Sequence, residues 1–233
     1  MASIAWLSDD DGAGFPPVNR ALAEPDGLLA VGGTLSPRRL ISAYEQGVFP
    51  WYAEGQPVLW WSPDPRAVLY PRELHVSRSL RRRMRNAGFE TRLDTAFAEV
   101  IRRCAEPRPT ADGTWLTADM IDAYTELHRL GLAHSVESWH GTELVGGLYG
   151  VRLGRVFFGE SMFSRETDAS KIALVRLIDE ARARGIVVID CQIASPHLQS
   201  LGSRSIPRAE FIALLAQHCR PHQPGSWVTP DAG

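Results

Sequence analysis

Residues 170–192 constrain the fold of this 233-residue chain more tightly than any other stretch. Residues 170–184 read as an amphipathic helix. Ile172, Leu174, Val175, Leu177, Ile178 and Ala181 make a broad apolar face, and Arg176, Asp179, Glu180 and Arg184 lie outside it. Gly185 stops the helix. Residues 186–189 then run apolar without a break into Asp190-Cys191-Gln192. A continuous apolar run of this kind fits a strand buried on both faces. The rest of the chain must therefore build a sheet around it.

The preceding segments supply that sheet. Residues 133–139 and 143–151 read as strands joined through the hairpin turn His140-Gly141-Thr142, and Gly154-Arg155 leads into a third strand over 156–162. Residues 77–86, 95–104 and 117–129 read as helices, the last capped by Thr117. Residues 67–70 read as a short strand. Helices, an antiparallel meander, a helix and a central strand fit the α+β layout of the acetyltransferase superfamily, a GNAT-type mixed sheet with flanking helices. This analogy does not name a function. The first sixty residues are rich in Gly, Pro and Trp. They hold one clear helix over 36–46, opened by Ser36-Pro37 and ended by Gly47, and their flanks read as loops. The texture changes after Trp60-Trp61-Ser62-Pro63-Asp64-Pro65-Arg66. We expect a small N-terminal lobe over 1–63 and a catalytic domain over 64–233.

Composition narrows the setting. Apolar and charged fractions are those of an ordinary globular protein. No apolar run is long enough to span a bilayer, and residues 1–11 lack a signal-peptide pattern. Cys104, Cys191 and Cys219 are odd in number and form no C-x-x-C pair, which suits a reducing compartment. The expectation is a cytoplasmic protein. A formal net charge of −2 argues against bulk nucleic-acid affinity. Yet Arg78, Arg81, Arg82, Arg83 and Arg85 crowd one stretch, with 78, 81, 82 and 85 on one helical face and no acid among them. That favours an anion nearby over a solvated face. The tail over 223–233 reads as flexible.

Several constellations carry chemistry. Alternation puts Asp190 and Gln192 on one face at the exit of the buried strand. They offer a base and an amide, and the carboxylate must be paired or solvated in a cleft. The plain alternative is an Asp capping the next turn at a sheet edge. Glu160 stands inside an apolar strand, where a carboxylate can bind the α-amino group of a substrate or form an internal salt bridge to Arg165. Trp51, Trp60 and Trp61 can stack bases, at about 1–3 kcal/mol per base, or simply build a core. His197 can act as a base, as a lone histidine only rarely does. His218-Cys219-Arg220-Pro221-His222 has ligand types without ligand geometry, so no metal is expected. The loop 163–170 contains no glycine and two acids, where acetyltransferases receive the CoA pyrophosphate on backbone N–H groups.

These pieces also match a family in order. Glu24 through Gly33, Gly47-Val48-Phe49-Pro50-Trp51, Leu59 through Leu69, His75 through Ser79, Gly113-Thr114-Trp115, Leu144 through Gly150, Gly159 through Arg165 and Ile189-Asp190-Cys191-Gln192 resemble signatures of the leucyl/phenylalanyl-tRNA–protein transferases. The resemblance covers almost the whole chain. It implies a bacterial, monomeric enzyme with an acetyltransferase-like domain, and no cofactor, because the ester to tRNA is already activated. It implies Leu-, Phe- and less favourably Met-tRNA as donors and proteins with N-terminal Arg or Lys as acceptors, marked thereby for N-end rule degradation. Carried over by position, Asp190 and Gln192 match the proposed catalytic residues and Glu160 lines the aminoacyl site. Trp51 and Trp115 lie near the terminal adenosine. Leu148 and Leu177 fall in the side-chain pocket, and the Arg cluster holds the acceptor stem. The competing readings are a CoA-dependent N-acetyltransferase, a non-catalytic tRNA-binding module, and a tRNA-dependent ligase of cell-wall peptide bridges.

Overall fold

The computed structural model describes residues 4–12, 14–107, 116–222 and 224–227. Trp115 lies outside them, as does the rest of Gly113-Thr114-Trp115.

Two sheets organise the chain. The first holds β1 (Ala5–Leu7), β2 (Leu28–Gly32), β3 (Phe49–Pro50) and β4 (Leu59–Trp61) in the order β1-β2-β4-β3. Helix α1 (Pro37–Glu45) joins β2 to β3, and Ser36 caps it by accepting from the Arg39 backbone N–H. The loop expected over Phe15-Pro16-Pro17 is present, whereas Phe49-Pro50, also expected as loop, is strand β3. The strands of this sheet are two to five residues long, too short to show a period, and β3 contains Pro50. Pairing across the sheet, not local pattern, makes them strands.

The second sheet is mixed, in the order β11-β5-β10-β9-β8-β7-β6. It contains β5 (Arg66–Leu69), β6 (Phe89–Leu93), β7 (Ala133–His140), β8 (Glu143–Leu153), β9 (Val156–Ser164), β10 (Val188–Gln192) and β11 (Arg204–Ile206). Its helices are α2 (Arg78–Asn86), α3 (Phe97–Cys104), α4 (Ala118–Arg129), α5 (Ala169–Ala183), α6 (Pro196–Ser200) and α7 (Arg208–His218). This is the expected α+β, acetyltransferase-like architecture. Strands β7, β8 and β9 form the antiparallel meander, and α5 carries the chain across to β10, which runs parallel to β9. Thr117 caps α4 as expected, and Ser77 caps α2 in the same way. The turn of the first hairpin is tighter than expected, because His140 pairs with Glu143. Helix α5 packs directly on β8 at Gly146, where a Cβ would come within 2.5 Å of the Ala169 Cβ.

One apolar core joins both sheets. Tyr44 of α1 and Trp60 of the first sheet pack in the same cluster as Tyr149 and Phe158 from the second. Residues 224–227 are also anchored. Trp227 is buried, stacks on His134 at 4.3 Å, and donates its backbone N–H to Asp94. That part of the tail is therefore not flexible, and its aromatic residue is the reason. Among the described residues no helix is long and apolar enough to cross a membrane.

Candidate active site

The site lies where β9 and β10 part. Their parallel ladder ends at the Phe158–Asp190 pair, although β9 runs on to Ser164 and β10 to Gln192. Glu160 and Gln192 stand just past that end. A cavity of about 840 Å³ opens there, lined among others by Leu148, Met162, Leu174, Leu177, Ile189 and Glu160. A smaller one of about 160 Å³ is lined by Phe49, Pro50, Trp51, Ile193 and the same Glu160, Cys191 and Gln192. The two cavities thus meet at Glu160 and the end of β10.

Asp190 is fully buried and paired. Arg66 Nε donates to its Oδ1 at 2.8 Å and Arg66 Nη2 to its Oδ2 at 2.7 Å. The Gln192 backbone N–H donates to Oδ1 at 3.0 Å. Strand β10 is interior, between β5 and β9, so a sheet-edge cap is excluded. Arg66 is itself buried, with its guanidinium 4.8 Å from the ring centres of both Phe49 and Phe211 and its Nη1 donating to the Gly47 carbonyl. Sequence reasoning quoted Arg66 only as part of a motif. The signal was available: a buried carboxylate needs a buried cation, and an arginine opening a short apolar strand is one.

Gln192 occupies a left-handed backbone conformation, φ 55°, at a register shift against β5. Such a conformation is uncommon for a residue with a side chain. Its Nε2 is buried and has no hydrogen-bond partner among the described residues.

Glu160 does not pair with Arg165, which instead holds Glu106 at 3.0 Å. Its Oε2 accepts from the Tyr124 hydroxyl at 2.8 Å, and that hydroxyl meets the Tyr44 hydroxyl at 2.6 Å. Its Oε1 is shielded from water and has no partner among the described residues. Burial pushes its carboxyl up to about 7, aided by the charge of Asp190 and opposed by the two tyrosines and Arg66. Tyr44 and Tyr124 were not expected at the site. They come from α1 and α4, and only the tertiary fold brings them together.

The remaining expected residues divide. Trp51 is 42% exposed and packs edge-on against Trp61, beside the smaller cavity. Trp60 is a core residue whose Nε1 donates to the Gly32 carbonyl. Leu148 and Leu177 are buried and line the large cavity. His197 lines it too, and burial lowers its pKa. Arg78, Arg81, Arg82 and Arg85 are exposed on α2. Arg83 turns back, donating to the Thr167 carbonyl at 2.9 Å and lying over Phe89. At the start of α5, Asp168 pairs with Lys171, so an acid occupies the place where a pyrophosphate would need bare backbone N–H groups. His222 and Arg220 both hold Glu45.

The chain matches the family model described as leucyl/phenylalanyl-tRNA protein transferase over residues 68–216 and its N-terminal domain model over 33–64. A protein of Stutzerimonas stutzeri named leucyl/phenylalanyl-tRNA–protein transferase is 58% identical over 96% of this chain and 99% of its own length. One of the same name from Thiobacillus denitrificans is 58% identical over 92% and 94%. Among solved structures, a GCN5-related N-acetyltransferase from Kribbella flavida aligns with a TM-score of 0.40 and 11% identity, covering 72% of this chain and 60% of that one. A family model matched over more than half of the chain, and relatives this similar along nearly all of it, establish that the chain belongs to the leucyl/phenylalanyl-tRNA–protein transferase family of aminoacyltransferases.

Proposed function

We propose that this enzyme moves Leu, Phe and less well Met from aminoacyl-tRNA to the α-amino group of proteins that begin with Arg or Lys, marking them for N-end rule degradation in the cytoplasm. The observation that carries the reading is the cavity itself, which sets an apolar wall of Leu148, Leu174, Leu177 and Ile189 beside Glu160 and the Asp190–Gln192 end of β10. An unbranched-at-Cβ apolar side chain suits such a wall. One methylene discriminates there by only about 1–3 kcal/mol, so several donors are accepted. Asp190 and Gln192 form the catalytic pair, with Asp190 acting through Gln192. The Gln192 amide N–H stabilises the oxyanion formed when the amine attacks the ester. Trp51 supports the terminal adenosine, and Trp115 is assigned there on family resemblance alone. The lobe over 1–63 brings Trp51 and Tyr44 onto the domain over 64–233.

Transfer of radiolabelled leucine from Leu-tRNA to a peptide beginning with Arg, against one beginning with Ala, tests this. Label on the Arg peptide alone is the expected result. A folded protein that binds the tRNA and labels neither peptide would point instead to a tRNA-binding module.

The exposed arginines of α2 are assigned to the acceptor stem. Among the described residues none of Arg78, Arg81, Arg82 and Arg85 has an ion pair with a carboxylate. Reversal of Arg81, Arg82 and Arg85 to Glu is expected to weaken tRNA binding by at least about tenfold at low salt. It should also flatten the dependence of log K on log salt by about two to three, since each phosphate contact contributes a slope of about 0.7–0.9. Binding curves over a salt series check both, and an unchanged slope would make the cluster a solvated face.

A further inference from the structure

We infer that Glu160 is the catalytic residue that takes the proton from the acceptor's α-ammonium group, and that Asp190 is a positioning carboxylate. The inference rests on the transferase reading above and deepens it. The reaction needs a free amine, and the acceptor arrives largely as ammonium, because an α-amino group titrates at about 7.7–8.0. Two carboxylates stand at the site. Asp190 is the poorer base by geometry. It has no exposed surface, both its oxygens accept from one guanidinium, and Oδ1 also accepts the Gln192 backbone N–H. A proton placed there would break a buried ion pair.

Glu160 is arranged differently. It borders both cavities, so it lies between the apolar wall and the side of Trp51. Oε2 accepts from Tyr124, and among the described residues no group bonds Oε1, which leaves that oxygen to carry a proton. The charged and titratable groups around it are Tyr124 on α4, Tyr44 on α1, Tyr149 on β8, Asp190 on β10 and Arg66 on β5. Tyr124 and Tyr44 are positioning residues. Because the tyrosine chain donates toward Oε2, protonation at Oε1 leaves it intact. The carboxyl titrates near about 7, where a base both holds and gives up a proton readily.

The step balances simply. Glu160 carboxylate and the acceptor ammonium become carboxylic acid and neutral amine. The amine lone pair forms the N–C bond at the ester carbonyl, the C–O bond to the ribose breaks, and the second N–H proton leaves on the ribose oxygen. The Glu160 proton returns to water when the products depart.

The test is single-turnover transfer from Leu-tRNA to an Arg peptide across a pH series. The wild-type rate should fall as pH drops through about 7. Glu160→Gln should slow transfer by about 100-fold or more at neutral pH and saturating donor. Its residual rate should follow the amine's own titration, at about 7.7–8.0. Tyr124→Phe removes a hydrogen bond that favours the charged carboxylate, so its acid limb should move to higher pH, which a merely structural role would not cause. Stability supplies a readout without substrate. The folded chain holds the Glu160 proton up to about 7, while an unfolded glutamate releases it near 4.5. Wild-type stability therefore falls across that window relative to Glu160→Gln, and the melting temperature of the variant relative to wild type should rise between about pH 4 and about pH 8. A Glu160→Gln enzyme with the wild-type rate and acid limb, or a melting difference that does not change with pH, would overturn the assignment. A wild-type protein that transfers nothing at any pH would overturn the transferase reading itself, and this step with it.

Discussion

Arg66→Met is expected to lower the unfolding free energy by about 3–5 kcal/mol, the cost of leaving one member of a buried ion pair without its partner. The substitution keeps most of the volume between Phe49 and Phe211 but removes every donor to Asp190 Oδ2 and one of two to Oδ1. Asp190 has no exposed surface through which water can replace them. The Gly47 carbonyl also loses the Nη1 donor, at the turn that leads α1 into β3. Denaturant unfolding at neutral pH measures the loss through the midpoint at constant slope. The double substitution Arg66→Met with Asp190→Leu should recover most of the stability, because replacing both partners by apolar groups is close to neutral. It should recover none of the transfer rate, because the Gln192 backbone then loses the carboxylate that holds it. A single-variant loss below about 1 kcal/mol would show that water or a proton reaches Asp190, and with it the case for a locked carboxylate would go.

How much of this was legible in the sequence depends on the range of the interaction. Helices α1, α2, α4 and α5 were readable because their caps and apolar spacing are local: Ser36, Ser77 and Thr117 each bond a backbone N–H three residues on. The meander β7–β8–β9 was readable from three extended segments and the turn signals between them, His140-Gly141-Thr142 and Gly154-Arg155. The first sheet was not, since Leu59–Trp61 or Phe49–Pro50 becomes a strand only by lying beside a distant segment. The candidate site shows the same division. Asp190, Gln192, Glu160, Leu148 and Leu177 were all named from position and resemblance, and all five line the cavity. Their partners were not named. Arg66 is 124 residues from Asp190, and Tyr124 is 36 from Glu160. The sequence reading foresaw that Asp190 required a partner or a cleft but had no means to choose between them. For Glu160 the alternative to a substrate's α-amino group was Arg165, a cation close by along the chain, whereas the fold sends Arg165 to Glu106.

Gln192→Ala is expected to slow single-turnover transfer by about 10²–10³-fold with little change in donor affinity, the effect of deleting one oxyanion donor. Two features of the ground state support this assignment. Its Nε2 is buried with no partner among the described residues, and an idle buried donor costs about 1–3 kcal/mol. Its backbone sits at φ 55°, a further cost of about 1–3 kcal/mol for a residue with a Cβ. Both penalties persist because Asp190 Oδ1 pins the Gln192 N–H from behind, and Arg66 pins Asp190. A donor freed from ground-state bonds is available when the carbonyl oxygen becomes an anion, so its contribution falls on the transition state and not on binding. Gln192→Asn separates the two features. Asparagine adopts the left-handed region more readily, so stability should be kept or raised, while an arm shorter by one methylene no longer places its amide at the same point. Rate constants at saturating donor, together with melting temperatures, read both. Loss of rate with unchanged stability in Gln192→Asn would fix the role on the amide. A full-rate Gln192→Ala would leave the oxyanion to some other donor, and the strained backbone would then need an explanation in packing alone.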